Sequence, residues 1–400
     1  MFRTVIVMCI GLAAASASPA FAQKAYDVGA SDTEIRIGQT MPYSGPLSSY
    51  ATIGKIEAAY FRMINEGGGV NGRKIIFLSE DDGYSPPRTV ERIRKLVESD
   101  EVLATFNTMG TPTNSEIQKY MNAKKVPMLF VASGASKWND PKEFPWTMGW
   151  PESYKKEGME FATYLRREVA NPRIAILSQN DDLGKDFVAG FREGLGADAD
   201  KLIVKELTYQ PSDPTIDSQI VSLKASGANV FFDVTVSRFA AQAIRKAYEI
   251  EWHPLHLLIS NSNSISGTMA VAGAEASKGI VSPLTYKDVN DDQWRSDPSV
   301  AQYLSFMKRF YPEGNIADSF NVYGYSAAEL LVQVLKQCGD ELTRQNVMRQ
   351  AASLKDVRLP MLLPGIVINT SADDYAVLAQ SRLARFDGER WVLMDDPADK

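Results

Sequence analysis

The 400-residue chain is poor in cysteine and histidine, with two residues of each. Cys9 lies in the N-terminal apolar segment, so only Cys338 remains beyond it and no internal disulfide can form there. The two histidines, His253 and His256, flank Pro254, which interrupts the helix that a paired metal site would need. We therefore expect no disulfide framework, no metal site and no bound cofactor.

Blocks of positive charge are also missing. The chain has 43 Lys and Arg against 49 Asp and Glu, which gives a net charge of −6 and a pI near 5.3. An acidic chain without a basic cluster is a poor candidate for binding nucleic acid or an anionic membrane. Beyond the N-terminal segment, no apolar run reaches the roughly 18 residues that a membrane helix requires.

The N-terminal segment has the three parts of a secretory signal. Arg3 supplies the positive charge, residues 5–15 are apolar, and Ala20-Phe21-Ala22 fits an A-x-A cleavage site. A membrane anchor is the alternative, but the apolar run is short and small residues follow it. We predict a signal peptide over residues 1–22 and a mature protein in the periplasm.

Strand and helix patterns alternate along most of the remaining chain. The alternation runs from about residue 34 to 131, is interrupted by a segment rich in proline and tryptophan at 139–151, and resumes to residue 259. A mostly helical stretch follows, and the end reads as a β-hairpin that turns at Asp387-Gly388. These patterns predict an α/β protein with two Rossmann-like units, each with a parallel sheet.

A glycine-rich stretch, Gly67-Gly68-Gly69-Val70-Asn71-Gly72, matches the letters G-x-G-x-x-G of a dinucleotide-binding loop. Such a loop follows a strand and opens a helix, because the helix N-terminus holds the pyrophosphate. Here the order is reversed, since a helical pattern ends near Glu66 and a strand begins at Lys74. The stretch therefore predicts a helix-to-strand turn at the edge of the sheet opposite the ligand.

Catalytic patterns are weak. Acidic runs at residues 80–82 and 291–292 could suggest paired acids for hydrolysis, but such runs are more typical of solvated loops. The chain has no G-x-S-x-G motif, and Cys338 lies in a predicted helix without a nearby histidine. We expect a protein that is not an enzyme, with a periplasmic hydrolase as the less favoured alternative.

Several segments carry a family resemblance: Pro42-Tyr-Ser-Gly-Pro-Leu-Ser-Ser-Tyr50, Ile64-Asn-Glu-Gly-Gly-Gly-Val-Asn-Gly72, Glu80-Asp-Asp82, Val126-Pro-Met-Leu-Phe-Val-Ala-Ser133 and Arg173-Ile-Ala-Ile-Leu177. Together they resemble the periplasmic substrate-binding proteins of branched-chain amino acid ABC transporters, the leucine/isoleucine/valine-binding protein family. The resemblance covers essentially the whole chain after the signal. It implies a type I periplasmic binding fold, in which two α/β lobes joined by three hinge strands close on a ligand.

The resemblance also implies lobe boundaries. Lobe 1 would comprise residues 27–147 plus 282–358, and lobe 2 residues 148–281 plus 359–400. The chain would cross between the lobes near Thr147, near residues 279–283 and within residues 357–365.

Ligands of parallel sheets bind at the carboxyl ends of the strands, where helix N-termini also point. In lobe 1 these loops are residues 41–49, 107–114 and 132–136, each rich in Ser, Thr or Gly. Such loops suit a carboxylate, although Ser and Thr are also common there as local helix caps. By resemblance, the family grips the ligand carboxylate with the loops that match Gly110, Thr111, Ser133, Gly134 and Ala135, beside Tyr50.

Lobe 2 departs from the amino-acid binders of the family. The acid that pairs with the ligand ammonium would fall near Asn261, and two family tyrosines would fall on Leu183 and Val236. A cation in a closed cleft without an acid is costly to desolvate, so we expect a carboxylic acid without an α-amino group. Asp181 or Asp182 could still accept from an ammonium group, which keeps amino acids open.

Aromatic residues near the expected cleft could line an apolar or aromatic ligand, or they could pack in the hinge. The candidates are Tyr43, Trp150 and Tyr154, with Ser44 in the first ligand loop.

The expected function is an extracytoplasmic solute receptor that captures a small carboxylate and delivers it to the permease and ATPase of an ABC importer. A ligand sensor of the same fold is the main alternative. We expect a monomer.

Overall fold

The computed structural model describes residues 24–394, so the predicted signal peptide lies outside the described residues. The strands, in chain order, are β1 (Ala25–Tyr26), β2 (Glu34–Met41), β3 (Lys74–Asp81), β4 (Ala104–Phe106), β5 (Met128–Val131), β6 (Thr147–Gly149), β7 (Ile174–Gln179), β8 (Ile203–Tyr209), β9 (Val230–Val234), β10 (Leu255–Leu258), β11 (Val281–Leu284), β12 (Glu341–Leu342), β13 (Arg382–Phe386) and β14 (Trp391–Leu393).

The helices follow the strands in the alternation that the sequence predicts. They are α1 (Ala51–Glu66), α2 (Pro86–Glu98), α3 (Thr111–Ala123), α4 (Tyr154–Glu168), α5 (Asp182–Leu195), α6 (Ala199–Leu202), α7 (Asp217–Ala225), α8 (Arg238–Glu249), α9 (Ala270–Ala272), α10 (Ala274–Ser277), α11 (Pro298–Phe310), α12 (Ser319–Cys338) and α13 (Arg344–Ala351). None of the helices within residues 24–394 is both long enough and apolar enough to cross a membrane.

Lobe 1 is built on a five-stranded parallel sheet in the order β3-β2-β4-β5-β6. Its central strands are buried on both faces, because helices cover both sides of the sheet. One large apolar cluster joins these strands to α1, α11 and α12, and it includes fully buried Phe61, Phe106 and Phe130.

Lobe 2 is built on a seven-stranded sheet in the order β14-β13-β11-β10-β9-β7-β8. Strands β7 to β11 run parallel, whereas β13 pairs antiparallel with β11 and β14 antiparallel with β13. The predicted hairpin is therefore confirmed, with Asp387 and Gly388 between its strands.

The chain crosses between the lobes at three places. Strand β6 ends the sheet of lobe 1 and leads directly into α4 of lobe 2, close to the expected first crossing at Thr147. Strand β11 belongs to the sheet of lobe 2, and just after it Thr285 and Lys287 bond to Leu363 and Met361 of lobe 1. The second crossing therefore lies near residues 284–286.

The third crossing lies later than expected. The prediction placed it within residues 357–365 and assigned residues 359–400 to lobe 2. In the structure, residues 359–378 pack in the apolar cluster of lobe 1, with Met361, Leu363 and Ile368 buried there. The chain reaches lobe 2 only at β13, so the crossing falls near residues 379–381. The apolar residues of this segment could pack in either lobe, and the sequence does not indicate which lobe buries them.

The glycine-rich stretch forms the predicted turn between α1 and β3. Gly68, Gly69 and Gly72 all have positive φ, which residues with a Cβ rarely adopt. At Gly69 a Cβ would stand 2.1 Å from the Arg73 carbonyl oxygen. The backbone at Gly69 therefore packs directly against the backbone at Arg73, with no room for a side chain. The G-x-G-x-x-G letters therefore mark chain reversal and not a nucleotide loop.

The two lobes are closed on each other. The hydroxyls of Ser49 and Ser237 lie 2.5 Å apart across the cleft, and the Tyr50 phenol donates to the Asn261 carbonyl at 2.9 Å. At the rim, the Lys137 ammonium lies 2.8 Å from the Asp182 carboxylate. These contacts join residues from opposite lobes, so they form only in the closed state.

Candidate ligand-binding site

A cavity of about 110 Å³ lies between the closed lobes. This is several times the space that one water needs, so the cavity fits a small organic molecule. Lobe 1 lines it with residues that follow β3, β4 and β5, and lobe 2 with residues that follow β7, β9 and β10. The cavity therefore lies at the carboxyl ends of both parallel sheets, where ligands of such sheets bind.

Seven of the residues selected from the sequence line this cavity: Tyr50, Gly110, Thr111, Tyr154, Leu183, Val236 and Asn261. Both lobes contribute to this set, so the fold brings together residues that are far apart in the chain. Their contact with a ligand stays a prediction.

The N-terminus of α3 points at the cavity. Gly110 is its N-cap, with a φ of 100°, and a Cβ there would stand 2.5 Å from the Tyr84 ring. No side chain among the described residues caps this helix, and because Pro112 has no N–H, its first turn offers the backbone N–H groups of Thr111 and Thr113 as donors. A helix N-terminus carries a partial positive charge, and this one can therefore bind a carboxylate without a lysine.

The loop at residues 133–135 lies directly behind this point and is covered by Tyr154. The hydroxyls of Thr111 and Ser133 are 2.7 Å apart, and Ser133 Oγ also accepts from the indole N–H of Trp138 at 2.8 Å. A Cβ on Gly134 would stand 2.8 Å from the Tyr154 ring. Ser133, Gly134 and Ala135 thus shape the wall and hold Tyr154, and they do not themselves line the open space.

Four predicted site residues lie elsewhere. The Tyr43 phenol bonds to Ser79 at 2.6 Å, and Ser44 Oγ donates to the Asp81 carboxylate at 2.6 Å, because their loop folds back on the end of β3. Trp150 is fully buried in the core of lobe 1, where its indole N–H donates to Tyr286. Asp182 is half exposed at the rim and pairs with Lys137. None of the four lines the cavity.

Aromatic rings form much of the cavity wall. Tyr50 packs on Phe320 with ring centroids 5.1 Å apart, and Tyr154 stacks on Phe187 at 4.5 Å. Burial raises the pKa of the Tyr154 phenol, and this phenol accepts from Asn261 Nδ2 at 3.0 Å. Tyr84 completes the wall from lobe 1. The lining is therefore largely apolar with a few placed polar groups, as in most small-molecule sites.

Lobe 2 contributes an acid to the cavity wall at a position that the sequence analysis did not select, Glu157. No acid stands at Asn261 itself. The carboxyl of Glu157, on the first turn of α4, instead contacts Ser260, the residue just before Asn261. It accepts from the Ser260 N–H at 2.8 Å and from Ser260 Oγ at 2.6 Å. Burial raises the pKa of Glu157 to about 8, so the protonated form dominates at neutral pH. Sequence reasoning missed this carboxyl because Glu157 is about 100 residues away from Asn261 in the chain.

A second acid lies at the hinge end of the cavity. Glu152 follows the first crossing and is 6% exposed. Its Oε1 pairs with the Lys156 ammonium at 2.6 Å, whereas its Oε2 has no hydrogen-bond partner among the described residues. Lys156 also donates to the Ala379 carbonyl of the third crossing, so Glu152 is held between two of the hinge segments.

Sequence reasoning missed several other lining residues, namely Tyr84, Met109, Glu152, Glu157, Pro283, Tyr286, Asp288, Phe320, Tyr323 and Trp391. Tyr84 could have been found, since it follows the carboxyl end of β3 just as the selected loops follow β2, β4 and β5. Phe320 and Tyr323 lie on α12, and their position depends on how that helix packs in lobe 1. No local pattern indicates that packing.

Comparison with known proteins supports this fold. The sequence profile described as periplasmic binding protein matches residues 34–389. The Leu/Ile/Val-binding protein homolog 1 of Brucella abortus is 21% identical over 329 residues, which is 78% of this chain and 80% of that one.

Two solved structures have the same fold. A branched-chain amino acid ABC transporter protein from Thermus thermophilus with bound valine has a TM-score of 0.81 at 17% identity, with 92% of this chain and 96% of that chain covered. A fatty acid ABC transporter substrate-binding protein from Thermomonospora curvata has a TM-score of 0.79 at 18% identity, with coverage of 93% and 94%.

Two α/β lobes that close on a small cavity define a ligand-trapping protein, and the profile match places it more narrowly. The chain belongs to the periplasmic binding protein family. The resemblance to the leucine/isoleucine/valine-binding type is thereby confirmed, and so is the type I fold.

Proposed function

We propose that the protein is the extracytoplasmic solute receptor of an ABC importer. The signal-like leader supports export to the periplasm, and family membership supports a receptor that binds a solute without changing it. The ligand closes the lobes on itself, and the closed form docks on a membrane permease that works with an ATPase.

The ligand is a small carboxylic acid with an apolar or aromatic body. The observation that carries this proposal is the uncapped N-terminus of α3, which opens into a cavity walled by Tyr50, Tyr84, Tyr154 and Phe320. The carboxylate binds at the helix N-terminus and the body packs between the rings. One of the two solved relatives holds bound valine and the other belongs to a fatty acid ABC transporter, which supports a carboxylate ligand with or without an amino group.

A thermal-shift panel tests the ligand class. Branched-chain amino acids, aromatic monocarboxylates, dicarboxylates and the corresponding amides are compared side by side. A ligand present at a hundred times its Kd stabilises the fold by about 2.7 kcal/mol, which is readily measured as a rise in Tm. We expect the largest rise with a monocarboxylate that has an apolar body, and none with its amide. A larger rise with the amide, or no rise with any compound, overturns the proposal.

A sensor of the same fold is the main alternative to transport. Purification of the full chain with detergent-solubilised membranes distinguishes the two, because a receptor should retain a permease and its ATPase in the presence of the best ligand. Retention of a signalling protein instead would favour the sensor. A hydrolase is tested by recovery of that ligand after long incubation, and intact ligand excludes it. Sedimentation of the ligand-bound form tests the expected monomer.

A further inference from the structure

The cavity between the lobes has buried hydrogen-bond acceptors without donors. Glu152 Oε2, Asn261 Oδ1 and Asp288 Oδ2 are all buried and have no hydrogen-bond partner among residues 24–394. All three residues line the cavity between the lobes. Buried polar atoms in folded proteins are nearly always paired, so three unpaired acceptors around one cavity call for a donor from outside the chain.

Two lysines beside the cavity, Lys287 and Lys156, do not supply that donor. Lys287 lines the cavity, but its ammonium is bound to Asp297 at 2.7 Å and to Ser299 at 2.9 Å. Lys156 bonds to Oε1 of Glu152 and to the carbonyl of Ala379, and it lies 3.7 Å from the Glu160 carboxylate, but it does not bond to Oε2 of Glu152. Oε2 of Glu152, a residue that lines the cavity, is therefore bonded to no cation among the described residues.

The two ends of the cavity thus differ in chemistry. The end at α3 offers backbone donors and a partial positive charge, which suit an anion. The hinge end, just after the first and second crossings, offers the carboxylates of Glu152 and Asp288. A second anionic group is disfavoured there, because it would lie against a buried acid.

We infer that the hinge end is a second ligand subsite, centred on Glu152, that takes a hydrogen-bond-donating group such as a hydroxyl or an ammonium at the far end of the ligand from its carboxylate. This inference rests on the proposed function, since it adds a second recognition element to the same ligand. It also gives the Lys156–Glu152 ion pair a role. The pair uses Oε1, orients the Glu152 carboxylate and leaves Oε2 for the ligand.

The test uses benzoates that differ only at ring position 3 or 4, where they carry hydrogen, hydroxyl, aminomethyl or a second carboxylate. Kd is measured by isothermal titration calorimetry with the full mature chain. We expect the hydroxyl or the aminomethyl compound to bind about tenfold or more tightly than benzoate, and the dicarboxylate to bind most weakly. Preference for hydroxyl indicates a neutral donor, and preference for aminomethyl a cation.

Two variants assign the effect to Glu152. In Glu152→Ala, the advantage of the donor-bearing compound over benzoate should fall to less than about threefold, and the dicarboxylate should gain affinity. Glu160→Gln is the matched control, because Glu160 also lies beside Lys156, at 3.7 Å, but does not line the cavity. It should keep the wild-type ranking. If Glu152→Ala does not fold, the ranking of the compounds on the wild-type chain decides alone.

The inference is overturned if benzoate binds as tightly as its donor-bearing derivatives, if the dicarboxylate binds best, or if Glu152→Ala keeps the wild-type ranking. It is also overturned if no benzoate binds. The proposed function fails separately, on the outcomes of the broad thermal-shift panel: no rise with any compound, or a larger rise with the amide.

Discussion

Removal of the Tyr50 hydroxyl should weaken ligand binding while leaving the fold intact. Tyr50 lies at the start of α1 in lobe 1, is 6% exposed, and donates to the Asn261 carbonyl of lobe 2 at 2.9 Å. The bond crosses the cleft, so it exists only when the lobes are closed. Tyr50→Phe keeps the ring and its packing on Phe320, and deletes only this bond.

The size of the effect follows from the bond. A buried hydrogen bond contributes about 0.5–1.5 kcal/mol net, which here stabilises the closed state relative to the open one. That range corresponds to a rise in Kd of roughly two- to thirteenfold. The free energy of unfolding of the ligand-free chain should change less, because each lobe keeps its own core.

Calorimetric titration with the ligand that gives the largest thermal shift measures this effect. Tyr164→Phe is the matched control, because it also deletes one buried phenol oxygen. That phenol bonds to Arg385 at 2.9 Å within lobe 2, so its loss should not change closure. An unchanged Kd for Tyr50→Phe, or an equal change for Tyr164→Phe, would refute the assignment of this bond to the closed state.

Three further outcomes are expected. Ser133→Ala should lower the free energy of unfolding by about 1–3 kcal/mol in urea titration, because the buried indole N–H of Trp138 loses its acceptor, whereas Ser115→Ala should change it little, because the half-buried Ser115 hydroxyl bonds only back to the Thr111 carbonyl of its own helix. The raised pKa of Glu157, about 8 against an ordinary 4.5, means that the folded chain keeps a proton that the unfolded chain releases. The free energy of unfolding should therefore fall as pH rises from about 4.5 to 8, and Glu157→Gln should flatten this fall; equal pH slopes would contradict the assignment. Gly190→Ala should lower Tm, because its Cβ would stand 1.8 Å from the Lys155 carbonyl oxygen where α5 packs on α4, and an unchanged Tm would show that the two helices can separate without cost.

Periodicity and turn chemistry in the sequence predicted most of the fold. The sequence pattern predicted a helix that ends near Glu66 and a strand that begins at Lys74, and α1 and β3 have these bounds; the strands of both parallel sheets followed the same alternation. The glycines at 67–72 were interpreted correctly from their place after a helix and before a strand, because a turn is a local property of the chain. The third crossing was misplaced, because residues 359–378 are apolar in a way that suits either lobe.

The candidate site was predicted only in part, for the same reason. Loops that follow strands of a parallel sheet must meet at one edge, so the loop that holds Gly110 and Thr111 could be chosen from the strand pattern, whereas Leu183 came from the family resemblance. Tyr43 and Ser44 also follow a strand, but local hydrogen bonds to Ser79 and Asp81 turn their loop away from the cavity. Whether a loop faces the ligand or the neighbouring strand depends on these side-chain partners.

The sequence by itself determined the class of fold, the order of its elements and the lobe edges at which a ligand binds, because these follow from local periodicity and the direction of the chain. Only the tertiary structure decided the chemistry of the cavity. It placed Glu157 behind Ser260, and it left Glu152 Oε2 unpaired at the hinge. Such contacts join residues that are far apart in the chain. Closure of the two lobes brings these residues around one ligand, and no local sequence pattern encodes that closure.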